Sequence, residues 1–344
     1  MKLKKLLALL LAMVMLFCLA ACSGPAEDKD DDKTPASGNN SGTNDDTDKD
    51  DNQDNDDDSS ASLETLFPVD VYLMTMAQEG EDTTVYNYDD KGNLVQRTHY
   101  EDGEEERRYE YAYDKNGNVI KETYFSEGEE RNSYTYEYNK DGKVTLEVSY
   151  YKGEEESRIT YEYDADGKPT SCLIKADGAE DVSGVYEYDS FGHLAKETYS
   201  SNGTVQEYTL YSNTIDGKIT RVTYFENDVA VSSYEYLYGA NTGLLNMEES
   251  YFNGVHCSRT QYFYDDNNNV ETRVYFDYIS DTNKYIDYSY DENGCRTTAT
   301  VKTEDITGEI NDEYFYQYQK MTLGRAVTEK LQEYYGTAMI VIAG

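Results

Sequence analysis

The sequence predicts an all-β protein built as a long antiparallel β-meander, and three observations support this. The chain has 37 tyrosines among 344 residues, with no tryptophan and only four prolines, and tyrosine favours strands. Glycines recur every 25 residues along much of the chain. The runs between them alternate apolar and polar side chains, which is the period of a β-strand.

Residues 1–21 are expected to be a signal peptide. Three lysines precede the apolar segment 6–21, which is shorter than the roughly 20 residues that a membrane-spanning helix needs. Residues 19–22 read Leu-Ala-Ala-Cys, which resembles a bacterial lipobox. The resemblance implies that Cys22 carries a diacylglycerol anchor and becomes the mature N-terminus. An ordinary secretory signal that happens to contain this cysteine is the alternative.

Residues 22–62 are expected to form a disordered acidic linker behind the lipidated cysteine. Residues 23–62 contain 14 acidic side chains, three lysines and almost no apolar side chains, so the segment cannot bury enough surface to fold. The whole chain carries a formal net charge of -39, which repels phosphate backbones and anionic lipid headgroups. We therefore expect no nucleic-acid partner, and membrane attachment only through the lipid anchor.

Residues 63–320 form the predicted β-hairpin repeat domain, with two strands and two turn signals in each repeat of about 25 residues. The first turn reads Asp-x-x-Gly, which favours a type I turn closed by a G1 bulge. The second turn is marked by a separate glycine series. The first series comprises Gly92, Gly117, Gly142, Gly167, Gly192 and Gly217, and the second comprises Gly103, Gly128, Gly153, Gly178 and Gly203.

Counting alternate residues through the first turn assigns the two faces of the sheet. One face becomes a tyrosine and aliphatic ladder, and the other becomes acidic and solvated. Around Gly142 the ladder comprises Tyr136, Tyr138, Val144, Leu146, Val148 and Tyr150, and the acidic face comprises Thr135, Glu137, Glu147 and Ser149.

An open sheet of roughly 20 strands would expose the whole tyrosine ladder, and twisted open sheets rarely exceed about ten strands without curling. We therefore expect the meander to coil into a superhelical strip or shell with its tyrosines inward. Face-to-face pairing with a second copy is the alternative. Residues 321–344 are expected to form a C-terminal cap, with a short helix over 325–335 and a final strand over 339–342 that covers the last open edge.

The phrase Tyr-x-Tyr-Asp-x-x-Gly-x-Leu/Val, at residues 86–94 and 111–119, resembles the YD repeat of Rhs-type and teneurin-type proteins. The resemblance covers about residues 70–320, although some copies lack the Asp, as at Asn139. MORN-like β-hairpin repeats are the alternative family. The YD resemblance implies a coiled β-strip, a surface or secreted role and, for some members, carbohydrate binding. It does not extend to the autoproteolytic region or toxin domain of Rhs shells, so we do not expect toxin delivery.

The tyrosine pairs are the candidate binding residues, because aromatic rings stack on the apolar faces of sugars. The same side chains are needed to pack the sheet, so a purely structural role is the alternative. The candidates are Tyr86, Tyr88, Tyr111, Tyr113, Tyr136, Tyr138, Tyr161, Tyr163, Tyr186 and Tyr188.

Catalytic and metal chemistry are not indicated. The histidines and the cysteines after Cys22 fall at unrelated repeat positions, without metal-ligand spacing, and we expect the thiols to be free. These residues are His99, His193, His256, Cys172, Cys257 and Cys295. The turns at Asp114 and Asp164 lack the length and the downstream glutamate of an EF-hand, so turn formation explains their acidic side chains. We expect no enzyme activity, metal or cofactor.

Taken together, these features predict a lipid-anchored extracytoplasmic repeat protein at the bacterial cell surface or outer membrane. We expect a non-catalytic binding or adhesion module whose ligand is a cell-surface glycan or protein. The alternative is a structural or assembly component of the envelope that partners a secreted protein.

Overall fold

The computed structural model describes residues 68–305, 308–324, 332 and 339–342. The predicted signal peptide, Cys22 and the acidic linker lie outside these residues. Most of the described residues belong to one antiparallel sheet, and none of the described segments is a helix long and apolar enough to cross a membrane. The strands are β1 (Pro68–Glu79), β2 (Asp82–Tyr88), β3 (Leu94–Glu101), β4 (Glu104–Tyr113), β5 (Val119–Ser126), β6 (Glu129–Tyr138), β7 (Val144–Tyr151), β8 (Glu154–Tyr163), β9 (Pro169–Ala176), β10 (Val182–Tyr188), β11 (Leu194–Ser201), β12 (Thr204–Asn213), β13 (Ile219–Glu226), β14 (Val229–Tyr238), β15 (Leu245–Phe252), β16 (Val255–Tyr264), β17 (Val270–Asp277), β18 (Thr282–Tyr290), β19 (Arg296–Asp305), β20 (Gly308–Gly324) and β21 (Ile340–Ile342).

The sheet closes on itself to form a barrel of 20 strands. Each strand from β2 to β19 pairs with its neighbours in chain order, and β20 returns to pair with β1 from Pro68–Gly324 to Glu79–Tyr314. The all-β meander prediction is confirmed. The expected open superhelical strip or shell is wrong, because the β1–β20 ladder pairs the backbone groups that an open strip leaves free at its two ends.

The predicted final strand over 339–342 is present as β21, but its predicted role as a cap over a free end strand is not supported, because β20 pairs with β1 along 314–324. The short strand β21 pairs instead with the N-terminal part of β1, where Val71 lies opposite Ile342. β2 pairs with the C-terminal part of β1 on the same edge as β21, and β20 pairs with the opposite edge of β1 along its whole length. The predicted helix over 325–335 lies outside the described residues, apart from Gln332. Apolar side chains from β1, β20 and β21 form one buried cluster, which comprises Val71, Leu73, Leu323 and Ile340.

The first turn of each repeat has the structure that its sequence predicts. The Oδ1 atom of Asp114 accepts hydrogen bonds from the backbone N–H groups two and four residues later, at 2.8 and 2.9 Å. Gly117 has a φ of 76°, the left-handed conformation that glycine adopts at little cost. In the repeat that lacks the aspartate, the Oδ1 atom of Asn139 accepts the equivalent bonds at 2.9 and 3.0 Å. Closing the turn is therefore sufficient to explain the acidic side chain at this position.

The second turn of most repeats is a tight two-residue hairpin, although the connections β9–β10 and β17–β18 are longer. Asp102 and Gly103 have φ angles of 50° and 80°, and two consecutive positive φ angles define a type I′ turn. This turn matches the right-handed twist of the strands that it joins. The second glycine series therefore marks hairpin ends, as the sequence predicts.

A bulge beside each first turn changes which residues share a face of the sheet. Between β6 and β7 the register shifts between Glu137 and Tyr138, so Tyr136 lies opposite Glu147. The prediction that placed Tyr136 on the face of Val148, with Glu147 on the other, is wrong. Straight alternation through the turn misses the extra residue of the bulge, and one extra residue moves every later side chain to the other face.

We define the tyrosine face as the face that carries the first tyrosine of each pair. It contains the largest buried cluster away from β1, which comprises Ile159, Cys172, Ile174, Val182 and Tyr199. The opposite face leaves large apolar side chains exposed within the strands, among them Leu173, Val185, Leu210, Leu237 and Phe263. Because a closed sheet has one inner and one outer face, this difference in burial indicates that the tyrosine face lines the interior.

Candidate ligand-binding surfaces

The first tyrosine of each predicted pair faces the interior, opposite a side chain of the next strand. All five are half-buried. Four of them lie opposite an ionisable carboxyl or guanidinium group. The pairs are Tyr86–Arg97, Tyr111–Glu122, Tyr136–Glu147, Tyr161–Cys172 and Tyr186–Glu197. These tyrosines therefore pack the inside of the closed sheet, and they do not form an external aromatic platform.

The second tyrosine of each pair connects neighbouring strands at the end that carries the first turns. Its hydroxyl donates a hydrogen bond to a backbone carbonyl of the preceding strand, at the start of that strand in every case except Met74. The bonds are Tyr88 to Met74 at 2.7 Å, Tyr113 to Leu94, Tyr138 to Val119 and Tyr163 to Val144 at 2.6 Å each, and Tyr188 to Pro169 at 2.8 Å. Asn213 occupies the same repeat position and donates from Nδ2 to the Leu194 carbonyl at 2.8 Å. Because asparagine keeps the hydrogen bond where it replaces tyrosine, we infer that the side chain at this position serves to form that bond.

Two interior carboxyl groups titrate unusually. Glu147 is 7% exposed, and burial, with a smaller contribution from the nearby charge of Glu122, raises its pKa to about 7. Glu197 is 6% exposed, and burial raises its pKa to about 7 although the hydroxyls of Tyr211 and Tyr199 act against the shift. Both groups therefore change charge near neutral pH. Sequence analysis assigned Glu147 to the solvated face and did not single out Glu197.

The predicted cysteines and histidines do not assemble into one site. Cys172, Cys257 and Cys295 are free, as expected, and burial raises the pKa of the Cys172 thiol. A thiol with a raised pKa is a poor nucleophile. Within the described ranges, no three His, Cys, Asp or Glu side chains lie close enough together to hold a metal ion. Of the three histidines, only His256 lies in an aromatic cluster with a mixed charge pair.

This cluster, which we call the His256 cluster, lies on the outer face over β15, β16 and the end of β17. It comprises Glu249, Tyr251, His256, Arg259 and Tyr278. The imidazole of His256 lies between two tyrosine rings, with centroid distances of 4.8 Å to Tyr251 and 4.4 Å to Tyr278. Hairpin pairing creates this arrangement, since Tyr251 lies opposite His256 and Glu249 lies opposite Arg259.

The His256 cluster contains a hydrogen-bonded ion pair between Glu249 and Arg259. Glu249 accepts a hydrogen bond from Nε of Arg259 at 2.8 Å and one from the hydroxyl of Tyr251 at 3.1 Å. Burial opposes ionisation of Glu249, but these two hydrogen bonds, together with the nearby charges of Arg259 and His256, lower the pKa of the carboxyl. Glu249 is therefore anionic at neutral pH. Tyr278 is 46% exposed, so an aromatic face and the guanidinium of Arg259 lie together at the surface, while the Glu249 carboxylate that binds Arg259 is nearly buried beneath them.

The His256 cluster belongs to a longer row of aromatic side chains on the outer face, close to the second turns. Most members recur at one repeat position and are half-buried. Neighbouring side chains stack on them, as Arg108 does on Phe125 at 4.0 Å from the ring centroid and as Tyr208 does on Phe225 at 4.6 Å. The recurring members are Tyr100, Phe125, Tyr150, Phe225, Tyr251 and Phe276. The 25-residue spacing could have revealed this row, but face counting through the bulge placed Tyr150 with the interior tyrosines.

The geometry thus defines a closed antiparallel β-repeat protein with an enclosed tyrosine face and an outer aromatic row. No protein-family model and no curated protein matches the chain. Solved structures that resemble it include TcdB2-TccC3, with a TM-score of 0.34 and 15% identity over 67% of this chain and 15% of that one. Another is a porin-like protein from Bacteroides uniformis, with a TM-score of 0.31 and 11% identity over 73% of this chain and 96% of that one.

A third is the Photorhabdus luminescens Tc holotoxin pore, with a TM-score of 0.33 and 15% identity over 67% of this chain. The chain spans only 15% of the length of the chains that it matches in this pore and in TcdB2-TccC3. Similarities this distant carry no information about function. Membership of the YD-repeat or MORN-like family, and the lipoprotein class, stay predictions.

Proposed function

We propose that the protein is a lipid-anchored, extracytoplasmic and non-catalytic binding module whose ligand is a glycan of the cell surface. Cys22 provides the anchor, residues 22–62 provide the tether, and the closed sheet presents the ligand-binding surface. The ligand contacts the outer aromatic row, centred on the His256 cluster. The ten tyrosines predicted as binding residues instead pack and connect the sheet.

The observation that carries the proposal is the composition of the His256 cluster at the surface. A half-exposed tyrosine ring offers a flat apolar surface for a sugar ring. The guanidinium of Arg259 lies beside it, oriented by its ion pair with Glu249, and such a charged group forms strong, directional hydrogen bonds with hydroxyl groups. A few polar groups that converge beside aromatic side chains are typical of small-ligand sites.

Binding can be tested with a glycan array and with isolated cell-wall fragments, using the wild-type protein and two tyrosine variants. Tyr278→Ala removes the exposed ring of the His256 cluster, and we expect it to reduce binding at least tenfold. Tyr151→Ala removes a ring that is 44% exposed elsewhere on the barrel, and we expect it to bind like the wild type. A wild-type protein that retains no glycan, or equal losses in both variants, would contradict the proposal.

The anchor can be tested separately by metabolic labelling with palmitate and by membrane fractionation of producing cells. We expect the wild-type protein to incorporate label and to remain with the membrane after a high-salt wash, because two acyl chains give stable attachment. We expect Cys22→Ser to lose both properties. Label incorporated by the variant would refute lipidation at Cys22, whatever the result of the glycan experiment.

A further inference from the structure

The residue that follows the glycine of the first turn interacts with the next repeat. Lys168 reaches across to the following first turn, where its Nζ atom donates a hydrogen bond to the carbonyl of Gly192 at 2.8 Å. The same ammonium lies 5.1 Å from the centroid of the Tyr188 ring. Two repeats later, Lys218 makes the equivalent contacts, at 3.2 Å to the Gly243 carbonyl and 5.6 Å to the Tyr238 ring.

These two lysines define a recurring ammonium position between neighbouring turns. A glycine carbonyl accepts a hydrogen bond from the charged group, and a tyrosine ring lies below it, which adds a cation–π attraction. The end of each lysine side chain lies against the glycine of the next turn, Lys168 against Gly192 and Lys218 against Gly243. The chain therefore contains two copies of an ammonium site, each occupied by its own side chain.

At the equivalent place in an earlier repeat the lysine is replaced by Asn118. Its side chain turns back toward its own turn, where Nδ2 donates to Oδ2 of Asp114 at 2.9 Å. The groove between the turns, where a lysine side chain lies elsewhere, becomes a pocket of about 600 Å³. Tyr138 and Gly142 line this pocket, and they hold the same repeat positions as the ring and the carbonyl that receive Lys168.

The lining of the pocket favours a positive charge. The carboxyl-bearing residues Asp114 and Glu137 both contribute to it, and Lys140 is the one basic residue in the lining. The whole chain carries a formal net charge of -39, which attracts cationic ligands over a distance.

From this comparison of repeats, we propose that the pocket beside Asn118 binds a primary ammonium group on an unbranched alkyl chain, such as the lysine side chain of a partner peptide. The ammonium donates to the Gly142 carbonyl and lies over the Tyr138 ring, while the alkyl chain occupies the groove. The site is separate from the His256 cluster, and it does not depend on the glycan-binding proposal.

Ligand-observed saturation-transfer NMR on the full-length protein tests this site. The probes are Nα-acetyl-lysine methylamide and its norleucine analogue, which lacks the ammonium. We expect saturation transfer to the lysine probe, strongest at its ε-methylene, and none to the norleucine probe. Diaminopentane serves as a free-amine arm. Equal transfer to it indicates recognition of the ammonium alone, and weaker transfer indicates that the peptide backbone also contributes.

Two variants make the test specific. Asn118→Lys places a side chain in the groove, and we expect it to abolish the signal, whereas Thr204→Lys adds the same charge at an exposed distant position and retains it. Lys168→Asn vacates a second groove, and we expect it to increase the signal about twofold, whereas Lys152→Asn removes the same charge without effect. A signal that persists in Asn118→Lys, or equal signals from the lysine and norleucine probes, would overturn the proposal. Lys168→Asn keeps the test valid if Asn118→Lys fails to fold.

Discussion

The hydroxyl of Tyr163 donates a hydrogen bond to the carbonyl oxygen of Val144 at 2.6 Å. The ladder between β7 and β8 ends at the pair Leu146–Thr160, so this carbonyl lies just beyond the last strand pair. The side chain therefore supplies a hydrogen bond where the regular ladder stops. Because the bond recurs in neighbouring repeats, it strengthens one end of the sheet strand by strand.

Replacing Tyr163 with phenylalanine should lower the free energy of unfolding by about 1–2 kcal/mol, since a half-buried carbonyl loses its partner. The measurement is urea denaturation followed by circular dichroism. The control is Tyr151→Phe, at an exposed ring, which should change stability by less than about 0.5 kcal/mol. Equal effects in the two variants would show that the hydroxyl bond does not stabilise the repeat.

The raised pKa of Glu147 predicts a dependence of stability on pH. The pKa of Glu147 is about 7 in the folded state, compared with a usual value of 4.5. The folded state therefore binds the proton more tightly than the unfolded chain does. The favourable contribution of this bound proton to the free energy of unfolding is fully present below about pH 4.5, and it is lost as the pH rises through 7. One pKa unit corresponds to about 1.4 kcal/mol, so the loss is about 3 kcal/mol.

Glu147→Gln cannot ionise and should therefore be more stable than the wild type at pH 8, with a smaller difference at pH 5. Denaturation curves at both pH values measure this effect. Glu154→Gln, at an exposed position at the start of β8, is the matched control and should follow the wild type at both. A Glu147→Gln protein that loses stability at pH 8 would argue for a paired, ionised carboxylate instead.

The first turn should tolerate asparagine better than alanine. The Oδ1 atom of Asp164 accepts hydrogen bonds from the N–H groups of Asp166 and Lys168 at 3.0 and 2.8 Å. Asp164→Ala removes the acceptor and should reduce the free energy of unfolding by about 1 kcal/mol. Asp164→Asn keeps the acceptor, as Asn139 does in its own repeat, and should cost less than half as much. Thermal denaturation of the two variants measures this difference. If only the charge of Asp164 mattered, Asp164→Asn would cost as much stability as Asp164→Ala.

Closure of the sheet predicts the pattern of amide hydrogen exchange. β1 pairs with β21 or β2 on one side and with β20 on the other, and β20 pairs with β19 over 308–315 and with β1 over 314–324. The amides bonded within the β1–β20 ladder should therefore exchange as slowly as those of β7 and β8. An open strip would instead show fast exchange at its two end strands, because edge amides face water. Mass-spectrometric exchange on intact protein, with peptides from these four strands, decides between the two.

The repeat unit was predictable from sequence because its determinants are local. Asp114 and Gly117 specify the first turn, and Gly103 specifies the second. The two faces of the sheet could not be assigned by simple alternation, because the register shifts between Glu137 and Tyr138. No sequence motif marks the extra residue of this bulge.

Closure of the sheet could not be predicted from local sequence, because Pro68 and Gly324 pair from opposite ends of the meander. Neither end carries a sequence motif that identifies its partner. The His256 cluster was missed for a related reason. Tyr251 and His256 lie on β15 and β16, and Tyr278 lies in the turn after β17, so only the hairpin registers bring their rings together. By contrast, the tyrosine pairs were found correctly as a series, and their role changed once Tyr138 was seen to donate to a backbone carbonyl.

The β1–β20 ladder constrains how the gene can change length. Because each repeat supplies two strands, an in-frame duplication or deletion of one whole repeat leaves the last strand antiparallel to the first and alters the circumference by about 10 Å. Gain or loss of a single strand would reverse the direction of β20, and the antiparallel seam could not form. Related chains should therefore differ in length by whole two-strand repeats.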